Sequence, residues 1–245
     1  MDLKENERID DLEYKGLKII QNEKYFCFGI DSILLSDFAK EIKKDAIILD
    51  IGTGTGIISI LLAKKTECNK IYALEVQEEI SEMAMRSVKL NKLENKIQII
   101  NDNIKNIEKY LQNNSINAIV TNPPYKRENS GVKNENMNKL ISRHEITANL
   151  EDFISNGSKI LKDKGNFYMV NRPERLAEII TLFKKYRIEP KRLRIVYSKI
   201  NSKPNLILIK GVKNAKPFLE IEKPLIIYNN DNTYTDEILE IYNKK

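Results

Sequence analysis

Scarcity sets the first limits on this chain. Its 245 residues hold one histidine, two cysteines and no tryptophan. One histidine leaves too little material for a His-based metal site or a relay of several imidazoles. Cys27 and Cys68 lie far apart without metal-type spacing, so they read as reduced thiols of a cytoplasmic protein. No apolar run approaches the roughly 18 residues of a membrane helix. The polar, acidic start MDLKENERIDD does not resemble a secretory signal. No internal repeat is visible.

What is present suits one α/β unit: 41% of residues are hydrophobic and 31% charged. A chain of this length buries roughly 70–75% of its unfolded surface. Lys and Arg outnumber Asp and Glu by 41 to 35, for a net charge of +6. That mild excess leans toward an anionic partner such as nucleic acid.

The stretch from Ile47 to Leu61, IILDIGTGTGIISIL, organises the rest. An apolar run ends in Asp50, a turn carries Gly52, Thr53, Gly54 and Gly56, and a helical pattern starts at Ile57. This is the strand, turn and helix that form the ligand-binding corner of a doubly wound sheet. Glycines admit a ligand close to the backbone, and the helix start offers unpaired N–H groups. A dinucleotide site uses G-x-G-x-x-G for a pyrophosphate. Here the spacing is G-x-G-x-G, and the preceding carboxylate of Asp50 would repel phosphate. A ligand with an ammonium and no phosphate, such as S-adenosylmethionine, fits better.

Around this corner the chain predicts a hairpin over residues 13–28 and a helix from Asp31, where Asp31 is the N-cap or, alternatively, a ligand contact. Lys70 to Val76 reads as the second strand. It carries Glu75 about 20 positions past the turn, where an acid accepts from a ribose diol. A helix follows from Glu78 to Leu90, then a third strand over Lys96 to Asn101. Asp102 or Asn103 caps the next helical stretch, and Asp102 is also placed to accept from an adenine amino group.

A fourth strand, Ile116 to Thr121, runs into Asn122-Pro123-Pro124-Tyr125. Two prolines fix φ and remove two donors, which stiffens the segment and leaves its carbonyls unpaired. Asn122 adds a side-chain acceptor and Tyr125 a flat ring. Two rigid acceptors beside a ring suit a planar amino group such as adenine N6. The long basic stretch that follows, with Lys126, Arg127, Lys133, Lys139 and Arg143, reads as a substrate-contacting loop. His144 reads as a structural or substrate-contact residue rather than a base. A helix over Leu150 to Leu161 closes at Asp163-Lys164-Gly165, before a fifth strand over Asn166 to Asn171. The last two strands form a hairpin around NSKP, and Arg172, Arg175, Arg192 and Arg194 are candidates for a basic face.

Together these stretches resemble the class I S-adenosylmethionine-dependent methyltransferases, from Phe28 to Val212. The resemblance implies a doubly wound Rossmann-like α/β sheet of seven strands, the last antiparallel. A short N-terminal hairpin-plus-helix extension (1–44) would pack on a methyltransferase domain (45–245) within one globular unit. It implies cofactor contacts at Asp50, Gly52, Thr53, Gly54, Gly56, Glu75, Asp102, Asn103, Asn122 and Asp31. It implies catalysis by Asn122, Pro123, Pro124 and Tyr125, with S-adenosyl-L-homocysteine as product and no metal. Within the class, FGIDSILLSDF (Phe28 to Phe38), NPPYKR and SRHE are similar to the small tRNA adenine-N6 methyltransferases, which modify the adenosine 3′ of the anticodon (position 37) of a valine tRNA. RNA contacts would then fall on Lys126, Arg127, Lys133, Arg143, Arg172, Arg175, Arg192 and Arg194. The expectation is a cytoplasmic protein with no obligate protein partner and no membrane contact, its oligomeric state open with a lean toward a monomer. The NPPY motif is shared with enzymes that methylate rRNA or DNA adenine, or the glutamine N5 of release factors. The glutamine enzymes carry a sizeable N-terminal helical domain, whereas fewer than fifty residues precede Asp50 here.

Overall fold

In a computed structural model, residues 3–25, 27–125 and 148–244 are described. The hairpin pairs β1 (Glu7–Asp11) with β2 (Lys18–Asn22), not two strands within 13–28: its turn falls at residues 12–17, because the polar stretch Glu7–Asp11 supplies the first strand, and helix α1 (Ile30–Phe38) follows. Strand β3 (Ile47–Ile51), helix α2 (Ile57–Lys65), β4 (Lys70–Glu75), α3 (Glu78–Leu90) and β5 (Ile97–Asn101) alternate as a parallel sheet requires. A short 3-10 helix, Ile104–Lys109, precedes β6 (Ile116–Thr121). Then come α4 (Leu150–Ile160), β7 (Leu161–Asn171), α5 (Leu176–Lys185), β8 (Ile188–Tyr197) and β9 (Pro204–Lys213). Two-residue strands β10 (Glu220–Ile221) and β11 (Leu225–Ile226) and helix α6 (Asp236–Ile241) complete the described chain.

The main sheet runs β5-β4-β3-β6-β7-β9-β8-β10, and β11 also pairs with β8. Strand β9 is antiparallel to both its neighbours, and the other pairings are parallel. The order reverses between β3 and β6, so their carboxyl ends open a crevice where ligands of such sheets bind. The chain is thus an α/β Rossmann-like fold. The sheet has nine strands among the described residues rather than the seven expected. The extra two are single two-residue pairings on β8, too short to leave a period in the sequence.

Alternation along the strands sends side chains to two cores. Ile48 faces a cluster with α1 and α2, while Leu49 and Ile51 face a cluster with α4 and α5. Every residue of α2 from Ile57 to Ala63 is buried, so this helix is covered on all sides. Helix α4 starts in a capping box: Asn149 accepts from the Asp152 amide, and Asp152 accepts from that of Asn149. The close expected at residues 163–165 lies instead inside β7. There Ile116 pairs with Leu161 but Ala118 pairs with Asn166, and Lys164 takes φ 57°. The intervening residues bulge out of the ladder and let helix pass into strand directly.

The hairpin rests on α3. Ile20 N donates to Ser87 Oγ at 3.0 Å, and Arg86 binds Glu7 at 2.5 Å and Glu82 at 2.8 Å. Helix α1 packs against α2, β7 and α6.

Candidate functional site

The glycine turn is fastened to its neighbour strand. Gly52 N and Thr53 N both donate to the Leu74 carbonyl of β4, at 2.9 and 3.0 Å. Gly52, Gly54 and Gly56 have φ of 71°, 59° and 95°, in the left-handed region that favours glycine. Within the turn Asp50 is fully buried. Its Oδ2 accepts from Thr53 Oγ1 at 2.6 Å and Ser59 Oγ at 2.8 Å. Its Oδ1 is buried with no hydrogen-bond partner among the described residues. Burial pushes the carboxyl up to about 6, against the pull of the two hydroxyls. An acceptor left open in this way fits the ammonium of an amino-acid ligand.

Glu75 is 1% exposed at the end of β4. Its two carboxylate oxygens accept from Gly54 N and Gln77 N, each at 3.0 Å. Beyond it lies a cleft open to solvent. Leu74, Val76, Ile104, Ala148 and Phe153 supply apolar walls, and Glu75, Asp102 and Asn103 supply polar groups. Flat apolar walls with a few polar groups suit a nucleoside. Asn103 caps the 3-10 helix by accepting from Lys105 N. Asp102 accepts from Asn103 N, Asn106 Nδ2 and the Tyr110 hydroxyl, which hold its carboxyl below the usual range. The donor set therefore fits S-adenosylmethionine at both its amino-acid and its nucleoside ends. The motif reading did not include Phe153 and Ile104. Their signal was the apolar face of α4 and the apolar start of the 3-10 helix, which sequence alone assigns to core.

At the end of β6 the structure brings together residues from distant parts of the chain. Asn122 Nδ2 lies 3.1 Å from Asp31 Oδ2 and 3.4 Å from Ser32 Oγ. The Tyr125 hydroxyl donates to the same Asp31 oxygen at 2.5 Å. Burial and the neighbouring charge of Asp31 hold that hydroxyl in its neutral form. Asp31 is not the N-cap of α1. That position is Gly29, and Asp31 sits in the first turn, where its carboxylate is drawn to Asn122 and Tyr125.

The four described arginines of the expected basic face divide into two pairs. The Arg172 guanidinium lies 5.0 Å from the Tyr125 ring centroid and donates to Asn205. Arg175 binds Glu178 at 2.9 Å and approaches the Pro124 carbonyl at 3.5 Å. Both thus border the NPPY segment. Arg192 instead stacks over Phe38 at 4.1 Å and pairs with Glu41 at 2.5 Å and Glu222 at 2.6 Å. Arg194 pairs with Glu237 at 2.6 Å. Lys126, Arg127, Lys133, Lys139, Arg143 and His144 lie outside the described residues.

Known proteins bear on this geometry. A tRNA1(Val) (adenine(37)-N6)-methyltransferase of Haemophilus influenzae is 29% identical over 231 residues, covering 93% of this chain and 94% of that protein. The Porphyromonas gingivalis protein of the same name is 28% identical over 204 residues, covering 81% of this chain and 79% of its own. Among solved structures, a predicted O-methyltransferase of Agrobacterium tumefaciens superposes with a TM-score of 0.69. It is 20% identical, and the match covers 87% of this chain and 95% of that one. The model of the methyltransferase small domain matches residues 29–191, a span that runs from the residue before α1 into β8, so the chain belongs to that family.

Proposed function

We propose that this protein transfers a methyl group from S-adenosyl-L-methionine to the exocyclic N6 amine of an adenosine in tRNA. The proposed target is position 37 of a valine tRNA, and S-adenosyl-L-homocysteine is released. The observation that carries the reading is the Asn122 amide. Its nitrogen donates to Asp31 and Ser32, which turns Oδ1 away from them. An acceptor so held, in a proline-stiffened turn, suits a planar NH2 group. The tRNA-modifying relatives supply the substrate class.

When bound, the cofactor supplies an electrophilic methyl group on a sulfonium centre. In this reading Asp50 meets its ammonium, Glu75 its ribose and Asp102 its adenine, with Gly52, Thr53, Gly54, Gly56 and Asn103 shaping the approach. Asn122 Oδ1 and the Pro123 carbonyl accept the two N6 hydrogens of the target, and Pro124 keeps the turn rigid. This holds the amine lone pair in line with the methyl carbon and weakens its delocalisation into the ring. Positioning of this kind supplies on the order of 7–11 kcal/mol of a barrier. The methylated amine is acidic and gives its proton to water, so neither a strong base nor a metal is called for. Tyr125 provides the stacking face, worth roughly 1–3 kcal/mol per base. That offsets much of the few kcal/mol needed to swing a base out of a loop.

The RNA surface in this proposal combines Arg172 and Arg175 with Lys126, Arg127, Lys133 and Arg143. Residues 1–44 form an attachment to the methyltransferase unit 45–245. The protein acts in the cytoplasm in this reading. No helix among the described residues is long and apolar enough to cross a membrane.

The test is methyl transfer from labelled S-adenosylmethionine to unmodified bulk tRNA. A release factor and duplex DNA run in parallel, and products are digested to nucleosides or peptides. Label should appear as N6-methyladenosine in tRNA alone. Label on a release-factor glutamine would move the same pocket to amide chemistry and overturn the tRNA reading.

A further inference from the structure

We infer that Asp31 is a positioning residue: its carboxylate sets the direction of the Asn122 amide and pins the Tyr125 ring, so that both meet the target amine in one geometry. The inference rests on the methyl-transfer reading above and adds a residue from α1 to that site.

Asp31 is 6% exposed, and its hydrogen-bond partners among the described residues donate to it. Oδ1 accepts from the Ser32 amide at 2.9 Å. Oδ2 accepts from Asn122 Nδ2 at 3.1 Å and from the Tyr125 hydroxyl at 2.5 Å. An ionised carboxylate is an acceptor only, whereas an asparagine amide has a donating end and an accepting end. Only the nitrogen end of Asn122 can therefore face Asp31, because the flipped amide would set oxygen against oxygen. The Ser32 hydroxyl, 3.4 Å from the same nitrogen, can adapt to either end. The carboxylate thus imposes the direction, because the hydroxyls of Ser32 and Tyr125 beside the amide can each donate or accept. The Tyr125 ring is held at both ends of its freedom, by Asp31 at the hydroxyl and by Arg172 over the face.

The substitution Asp31→Asn turns this logic around. One of the two side-chain positions becomes an NH2 group. The Ser32 amide still needs an acceptor, so the new donor is directed at Asn122 and Tyr125. Asn122 then turns its oxygen inward, away from substrate.

The experiment is steady-state and single-turnover kinetics of Asp31→Asn on whichever substrate the wild type methylates, with cofactor affinity by calorimetry and folding by thermal melting. The turnover number should fall at least thirtyfold, while KM for the substrate and Kd for S-adenosylmethionine stay within threefold. In an Asn122→Ala, Tyr125→Phe background, which removes both groups that Asp31 orients, adding Asp31→Asn should lower the residual rate, followed in long incubations with labelled cofactor, less than threefold. Should Asp31→Asn fail to fold, Asp31→Ala removes the acceptor without presenting a donor and carries the same expectations. A matching thirtyfold rise in cofactor Kd would overturn the inference in favour of direct cofactor contact. A full multiplicative loss in that background would also overturn it, since Asp31 would then act independently of both Asn122 and Tyr125. A wild type active on glutamine but not on tRNA refutes the tRNA reading and still allows the Asp31 test to be run.

Discussion

Glu75 Oε2 accepts a hydrogen bond from the Gly54 amide at 3.0 Å, so the acid that ends β4 and the tip of the glycine turn form one unit. The other carboxylate oxygen takes the Gln77 amide. Replacing Glu75 with Gln puts an NH2 group against one of these backbone donors. Hydrogen bonds to charged groups contribute about 1.5–3 kcal/mol each. Glu75→Gln is expected to weaken S-adenosylmethionine binding about tenfold, and Glu75→Ala more, in calorimetric titrations. Unchanged affinity in both would remove Glu75 from the ribose site.

Asp50 gives the site a pH dependence with a defined sign. Its carboxyl is raised from an ordinary 3.8 to about 6 by burial. The folded protein therefore holds this proton more tightly than the unfolded chain does. Its contribution to stability is present below about pH 4 and is lost as pH rises through 6, a change of about 3 kcal/mol for the apo protein. Cofactor binding has the opposite sign, because an ammonium prefers the ionised carboxylate. Affinity should fall about tenfold per pH unit on acidification below 6, and Asp50→Asn should flatten that profile. Calorimetry across pH 5 to 8 checks both.

Phe153 joins stability to binding. It is 8% exposed, lines the cleft and lies about a van der Waals distance from where a Cβ on Gly52 would sit, 3.5 Å. Phe153→Ala should cost about 3–5 kcal/mol in denaturant melts. Phe153→Leu should cost less than about 1.5 kcal/mol, yet still weaken cofactor binding several-fold, because a flat wall is lost.

The arginines separate by their partners. Arg192 is tied to Glu41, Glu222 and the Phe38 ring, so Arg192→Ala should lower the melting temperature and leave the salt dependence of tRNA binding unchanged. Arg172 borders Tyr125, and Arg172→Ala should weaken tRNA binding and lower the slope of log K against log salt by about one. Equal slopes in the two variants would leave Arg172 without a phosphate contact.

Much of this arrangement was legible in the chain itself. Helix α3 spans Glu78–Leu90, as its pattern of apolar residues requires, and the apolar run before Asn122 is β6. Local signals sufficed there because period and turn chemistry are properties of neighbours in sequence. The role of Asp31 was not legible, because the residues that claim its carboxylate lie 91 and 94 positions away. Taken alone, an aspartate before an apolar helix has the chemistry of a cap. Likewise, the charge of Arg192 and Arg194 marked a basic face, but Glu41, Glu222 and Glu237 come from other segments. The hydroxyl of Tyr125 belongs to the same class: the ring is visible in the sequence, its donor contact is not.

Helix α1 carries Asp31, yet one of the elements that seat it is α6, from the other end of the described chain. Lys65 bridges the two regions, reaching Asp37 of α1 at 3.2 Å and the Ile241 carbonyl of α6 at 3.2 Å. Near them Lys244 pairs with Glu13 at 2.7 Å. During synthesis the segment bearing Asp31 leaves the ribosome early and waits for most of the sheet and for residues 236–241 before its seat is complete. A nascent chain would thus close its glycine turn on β4 before Asp31 has its final seat.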